Sequence, residues 1–142
     1  MKVKELMVKN VITLKTDTSA HEATKLLNKN KIGCLVVVRD DDIQGILTER
    51  DLLERVLEKC KNPMETKISE IMTKDVIVGK PDMEIFEATS IMIKNKVKKL
   101  PIVEKSQLVG ILTVTDIARA TNIDKRTIDL VDALSNMHML QH

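Results

Sequence analysis

The chain has 142 residues, 43% hydrophobic and 31% charged, with 23 Lys or Arg against 21 Asp or Glu for a net charge of +2. That length suits one compact domain or two half-domains packed as one, and the charge lacks the basic bias of a dedicated nucleic-acid binder. Phe86 is the only aromatic residue, so the stacking platforms that bind single-stranded bases are missing; no apolar run approaches the roughly 20 residues of a membrane span.

The start, Met1-Lys2-Val3-Lys4-Glu5, leads into alternating polar and apolar residues and does not read as a signal peptide. The expected location is the cytoplasm. Val11-Ile12-Thr13-Leu14 is short and rich in β-branched residues, a predicted strand. A helix follows, with Ala20, Ala23, Leu26 and Leu27 on one face. Ser19 and Glu22 fit a capping box at its start, and Asn30 a left-handed cap at its end. Leu35-Val36-Val37-Val38 and Ile43-Gln44-Gly45-Ile46-Leu47 read as the arms of a hairpin around Arg39-Asp40-Asp41-Asp42. A closing helix carries Leu52, Leu53, Val56 and Leu57 as one stripe, and Asn62-Pro63 ends it. Cys34 and Cys60 have no CxxC spacing. Cys34 reads as a small buried apolar residue, and a disulfide is not expected in a reducing compartment.

From here the pattern repeats. Residues from Val3 to about Ala120 form two gapless copies at an offset of 65: Met7 falls on Met72, Ala23 on Ala88 and Leu35 on Leu100. The sharpest match is Gly45-Ile46-Leu47-Thr48 with Asp51 against Gly110-Ile111-Leu112-Thr113 with Asp116. Such self-similarity is the sequence mark of a repeat architecture. The second copy keeps the helical face as Ile85, Ala88, Ile91 and Met92, entered from Pro81-Asp82 and ended by Asn95. Its hairpin is Leu100-Pro101-Ile102-Val103, then Leu108-Val109-Gly110-Ile111-Leu112. Pro101 cannot donate to a ladder, so its strand lies at an edge or is irregular there. Ile117, Ala118 and Ala120 form a weaker closing helix. The expected fold is α+β, two β-α-β-β-α repeats with pseudo-two-fold symmetry. The division is 1–62 for the first repeat, 63–122 for the second and 123–142 for a tail. Copies of roughly 55 residues are small for independent cores, so one shared core is expected. In the tail, Ile128, Val131, Leu134 and Met137 or His138 recur at helical spacing; that amphipathic helix can pack on its own module or bind a partner. His138 and His142 end the chain and His21 lies on a charged helix, so no metal site is expected.

The corner Gly-Ile-Leu-Thr-x-x-Asp is the place for chemistry. Thr48 with Asp51, and Thr113 with Asp116, fit an N-terminal capping box. The same geometry can bind a ligand. A helix N-terminus offers free N–H groups and a positive dipole end to phosphate, and the threonine hydroxyl can add a hydrogen bond. The aspartate can accept two hydrogen bonds from a vicinal diol such as a ribose. Gly45 and Gly110 permit close backbone approach.

The duplicated β-α-β-β-α pattern with this corner resembles a tandem pair of CBS (cystathionine β-synthase) domains, a Bateman module. The resemblance implies a sensor that binds AMP, ADP, ATP or S-adenosylmethionine in clefts between the repeats, and a dimer of modules. Carried over by position, one cleft would combine Thr48, Arg50 and Asp51 with Met72, Ile77, Val97 and Lys99. The other would combine Thr113, Thr115 and Asp116 with Met7, Ile12, Ile32 and Cys34. The apolar members also read as ordinary core. Lys99 and Arg50 add positive charge to the Asp51 set, where the other set has Cys34 and Thr115. Charge-assisted contacts would then favour a charged nucleotide at Asp51; alternatively Lys98 and Lys99 are solvated edge charges.

No Ser-His-Asp order and no Gly-rich phosphate loop with its lysine occurs, and His21 is the only histidine in either copy. The expectation is therefore a regulatory module without catalysis or a cofactor, acting in trans on an unidentified protein partner. The other reading is a protein-interaction or dimerisation module with vestigial clefts; nucleic acid and membrane are not expected partners.

Overall fold

The structure is a computed structural model that describes residues 1–120 and 123–137; the expectation for His138 lies outside them. The elements are α1 (Val3–Leu6), β1 (Thr13–Lys15), α2 (Ala20–Asn30), β2 (Cys34–Arg39), β3 (Asp42–Thr48), α3 (Glu49–Leu52, continued by a π-helical turn Leu53–Leu57), α4 (Ile68–Ile71), α5 (Ile85–Asn95), β4 (Lys99–Glu104), β5 (Gln107–Thr113), α6 (Val114–Arg119) and α7 (Lys125–Ser135). This is a mixed α+β fold of two repeats. None of the described helices is long and apolar enough to cross a membrane.

In space the chain divides into two compact units that do not follow the repeat boundaries. One runs from Ile12 to Val76; the other joins Met1–Val11 to the chain from Ile77 onward. In the Ile12–Val76 unit, β1 pairs parallel with β2, and β2 antiparallel with β3. A single antiparallel bridge, Ile46 to Thr73, sets the residues after α4 on the free edge of β3. In the other unit β4 pairs antiparallel with β5, and the bridge Val8 to Ile111 sets the residues after α1 on the edge of β5. Each sheet thus has the same order, and each opening one-turn helix packs in the unit that holds the other copy's hairpin. Periodicity did not foretell α1 and α4, because one turn has none. Their starts are held by Glu5 and Glu70, whose carboxylates accept from the Lys2 and Lys67 N–H groups at 2.6 and 2.7 Å.

Both hairpins turn through two residues of positive φ, Asp40-Asp41 (51° and 69°) and Lys105-Ser106 (51° and 66°). Such turns match the right-handed twist of the flanking strands. Both carry a register shift opposite the glycine that the two copies share, between Val37 and Val38 and between Ile102 and Val103. Buried residues form two clusters, one in each unit, in place of the single shared core expected. Leu14, Leu27, Leu35, Leu47, Ile68 and Met72 anchor one; Val3, Ile85, Met92, Leu100, Ile117 and Leu134 anchor the other. Val3 on one side, and Ile68 and Met72 on the other, come from the exchanged segments, so each small hairpin-plus-helix is completed by residues remote in sequence. Each such fully buried side chain stabilises by about 1.5–3 kcal/mol.

Several local expectations shift. The left-handed caps fall one residue later, at Lys31 and Lys96. Asn30 and Asn95 instead close the last turn, donating to the carbonyls of Leu26 and Ile91 at 2.8 Å. Ser19 does cap α2, accepting from the Glu22 N–H at 3.1 Å, but the Glu22 carboxylate pairs with Lys25. The second copy's first strand shrinks to one parallel bridge, Gly79 to Ile102. There Gly79 stands in the place of Leu14; a Cβ on it would lie 2.8 Å from Leu100. Gly79 donates to the Pro101 carbonyl on that same side, the side where proline offers no N–H. The closing stripe also splits: Val56 is buried, whereas Leu53 and Leu57 are 50% and 70% exposed. In the other unit α7 packs on α5 and α6, the counterparts of α2 and α3, with Val131 and Leu134 buried and Arg126 stacked over Phe86 at 4.2 Å. The tail helix therefore rests on its own module.

The N-terminal segment is tied to its unit by charge as well as by Val3. Lys4 Nζ lies 3.0 Å from Asp82, and Glu84 meets both Lys2 and the N-terminal ammonium. Hydrogen bonding from Lys4 holds Asp82 below its ordinary 3.8, and Lys2 then the N-terminus hold Glu84 below 4.5. The bond to Asp82 raises Lys4 above 10.5. Depressed carboxylates contribute above their unfolded pKa and lose that contribution on acidification; a raised lysine loses its own as pH rises through its folded value. Thermal melts should therefore show a plateau between about pH 5 and 10, with a loss below pH 4 that is smaller in Asp82→Asn.

Gly45 permits the closest approach in the Ile12–Val76 unit. A Cβ there would lie 2.7 Å from both the Met72 Sδ and the Thr73 carbonyl oxygen. At Gly33 the nearest atom would be a Glu49 side-chain carbon at 3.7 Å. In urea denaturation Gly45→Ala should destabilise by about 1–3 kcal/mol, while Gly33→Ala should change stability by less than about 1 kcal/mol.

Candidate functional site

At the end of β3, Thr48 is the N-cap of α3 and Asp51 its third residue. Thr48 Oγ1 accepts from the Asp51 N–H at 3.1 Å, and Asp51 Oδ2 accepts from the Thr48 N–H at 2.9 Å. The capping box predicted from sequence is therefore formed. It does not exhaust the aspartate, whose side chain is only 7% exposed. Thr73 Oγ1 donates to Asp51 Oδ1 at 3.3 Å, and Arg55 Nε stands 3.8 Å from that same oxygen. The Arg55 guanidinium also donates to the carbonyls of Ile71 and Met72, at 2.9 and 3.1 Å. It thereby ties the segment bearing Thr73 to the helix bearing Asp51.

Arg50 lies on the outer side of the same helix. It is exposed and pairs with Glu54 one turn on, at 3.8 Å, so the cation beside the carboxylate is Arg55. The supply of free N–H groups is also smaller than a helix start suggests. Glu49 N–H donates to the Gly33 carbonyl at 3.0 Å and Asp51 N–H to Thr48. Among the described residues, the helix start leaves the threonine hydroxyl proton and the Arg50 N–H for an anion.

The second corner repeats the box. Thr113 Oγ1 accepts from the Asp116 N–H at 3.1 Å, and Asp116 Oδ2 accepts from the Thr113 N–H at 3.0 Å. Thr115 is exposed and Asp116 half-buried. Val8 occupies the position of Thr73, with the same pair of 2.9 Å backbone bonds to Ile111 that Thr73 makes to Ile46. Ala120 stands where Arg55 stands in the first copy. Thr73 and Arg55 are not among the residues singled out from sequence; their mismatch with Val8 and Ala120 at the offset of 65 was the available signal.

The remaining candidates sort by unit. Met72 is buried against Gly45, and Met7 lies against Gly110. The Ile12–Val76 unit thus holds Thr48, Arg50, Asp51 and Met72 together with Ile12, Ile32 and Cys34, where Ile12 and Ile32 pack on its core and Cys34 lies opposite Thr48 in the ladder. The other unit holds Thr113, Thr115, Asp116 and Met7 together with Ile77, Val97 and Lys99. Val97 is enclosed in that unit's core, Ile77 packs on it, and Lys99 lies opposite Thr113. Within a unit, each corner is therefore joined to its methionine.

Comparison with known proteins follows the same division into copies. The CBS domain model matches residues 3–58 and 68–122. The chain is 31% identical over 116 residues to the CBS domain-containing protein YhcV of Bacillus subtilis, covering 82% of each. It is 38% identical over 120 residues to inosine-5'-monophosphate dehydrogenase of Methanocaldococcus jannaschii, covering 83% of this chain but only 23% of that enzyme. Among solved structures, the conserved CBS domain protein TA0289 of Thermoplasma acidophilum has a TM-score of 0.80 at 27% identity, covering all of this chain and 80% of its own. The CBS domain pair of protein MJ0100, solved with 5'-methylthioadenosine and S-adenosyl-L-methionine, has a TM-score of 0.74 at 32% identity, covering 84% of this chain and 94% of its own. Matched over most of its length, the chain belongs to the CBS-domain family and carries two CBS domains.

Proposed function

We propose that this CBS pair is a non-catalytic regulatory module that binds an adenosine derivative, AMP, ADP, ATP or S-adenosylmethionine, and acts in trans on a protein partner. The observation that carries the reading is the carboxylate of Asp51. It is buried and already oriented by Thr48, yet retains acceptor capacity on both oxygens. A ribose diol supplies the two donors that such a carboxylate can still accept. In this reading Thr48 and Thr113 face phosphate or its equivalent, and Asp51 and Asp116 the ribose. The apolar positions Ile12, Ile32, Cys34, Ile77 and Val97, with Met7 and Met72, cover the base in place of aromatic rings. Lys99, Arg50 and Thr115 tune the charge that a ligand meets. The MJ0100 pair, solved with two adenosine derivatives, supports this ligand class.

A second reading, an interaction or dimerisation module, is favoured by one observation. Leu53 and Leu57 are exposed beside an apolar groove of about 640 Å³ that Leu27, Leu52 and Val56 also line. A homodimer would cover it; in light scattering, Leu57→Asp should then shift the assembly toward monomer.

Calorimetry with AMP, ATP and S-adenosylmethionine tests the ligand reading. Asp51→Asn keeps a capping side chain but removes the charged acceptor, so affinity should fall about 10- to 100-fold, with a smaller effect for Asp116→Asn on a charged nucleotide. Unchanged affinity in the double variant defeats the site assignment. No binding to the wild type at millimolar ligand defeats the sensor reading.

A further inference from the structure

The two corners share a scaffold but not a carboxylate environment. Asp51 is held at both oxygens, Oδ2 by the Thr48 N–H at 2.9 Å and Oδ1 by the Thr73 hydroxyl at 3.3 Å. Arg55 stands 3.8 Å from Oδ1 and, through the carbonyls of Ile71 and Met72, fixes the residues just before Thr73. A carboxylate gripped at both oxygens cannot swing about its terminal torsion. Each oxygen has two acceptor positions, so one on each is left, the pair that a vicinal diol needs. Asp116 is held at Oδ2 by the Thr113 N–H, but Val8 and Ala120 supply neither the hydroxyl nor the guanidinium. Among the described residues its carboxylate has no second grip.

Resting on the adenosine reading above, we propose that Thr73 is a positioning residue, supported by Arg55, that presets Asp51 for a vicinal diol. The Asp51 corner is then the one that separates ribonucleotides from 2'-deoxyribonucleotides, and the Asp116 corner discriminates weakly.

The test measures AMP and 2'-deoxy-AMP by calorimetry on the full chain, using Asp116→Ala to isolate the first corner and Asp51→Ala to isolate the second. In the first background, Thr73→Val should weaken AMP about tenfold with little effect on 2'-deoxy-AMP, so the preference collapses, and Thr73→Ser should restore it. A loss of packing or fold would weaken both ligands alike. In the second background Val8→Thr, at a residue 46% exposed, should raise the preference for AMP. This arm stands even where Thr73→Val fails to fold. An unchanged preference in folded Thr73→Val, or no gain in Val8→Thr, overturns the inference and leaves the ligand reading standing. No AMP binding by wild type overturns that reading, and this inference with it.

Discussion

The seating of a short methionine-bearing segment on the outer edge of each hairpin is the contact on which the rest depends. Met72-Thr73 lies over Gly45 and pairs with Ile46; Met7-Val8 lies over Gly110 and pairs with Ile111. Neither glycine has positive φ, so what matters at both is the absent side chain. Added atoms would meet the neighbouring backbone carbonyl as well as a flexible thioether, and the carbonyl cannot move without breaking the bridge. This contact closes each unit's core and brings Thr73 to Asp51. The close approach inferred from the repeated glycines is thus filled, within each unit, by the chain itself.

Capping and the proposed binding are not rival explanations of the Thr-x-x-Asp corner, because they would use different lone pairs. The box takes one acceptor position on Asp51 Oδ2 and one lone pair of the threonine hydroxyl. That ties the aspartate to the helix start, and the Thr73 hydroxyl on Oδ1 keeps the carboxylate from turning. Burial raises the strength of any further hydrogen bond, because competing water is scarce. A structural motif thereby becomes a preorganised acceptor without changing its folding role. The short helix behind it contributes little as an anion site, since two of its first three N–H groups are already engaged.

Duplication supplies the scaffold twice, and divergence then acts at positions that touch it. Thr73 against Val8 and Arg55 against Ala120 change one carboxylate's surroundings while leaving both boxes intact. On the helical side the same process works on packing. α7 covers α5 and α6, whereas the corresponding helices of the other copy leave Leu53 and Leu57 in solvent.

The gapless repeat, the α+β class, the buried faces of α2 and α5, the hairpins and both capping boxes were legible because each depends on residues within one or two turns of one another. Identity between copies then made a weak motif specific. The exchange of opening segments between units was not legible, since a one-turn helix carries no periodicity and its partners lie dozens of residues away. Nor was the loss of the strand at Gly79, or the splitting of the Leu52-Leu53-Val56-Leu57 stripe, where periodicity marks apolar residues but not which of them meets a core. By itself the sequence determined that there are two Thr–Asp corners and that each is capped. The charge difference between them, Lys99 and Arg50 against Cys34 and Thr115, was legible too; tertiary structure decided that Asp51 gains a second partner, because Thr73 reaches it across 22 residues of chain and only a folded edge contact sets a hydroxyl at that distance.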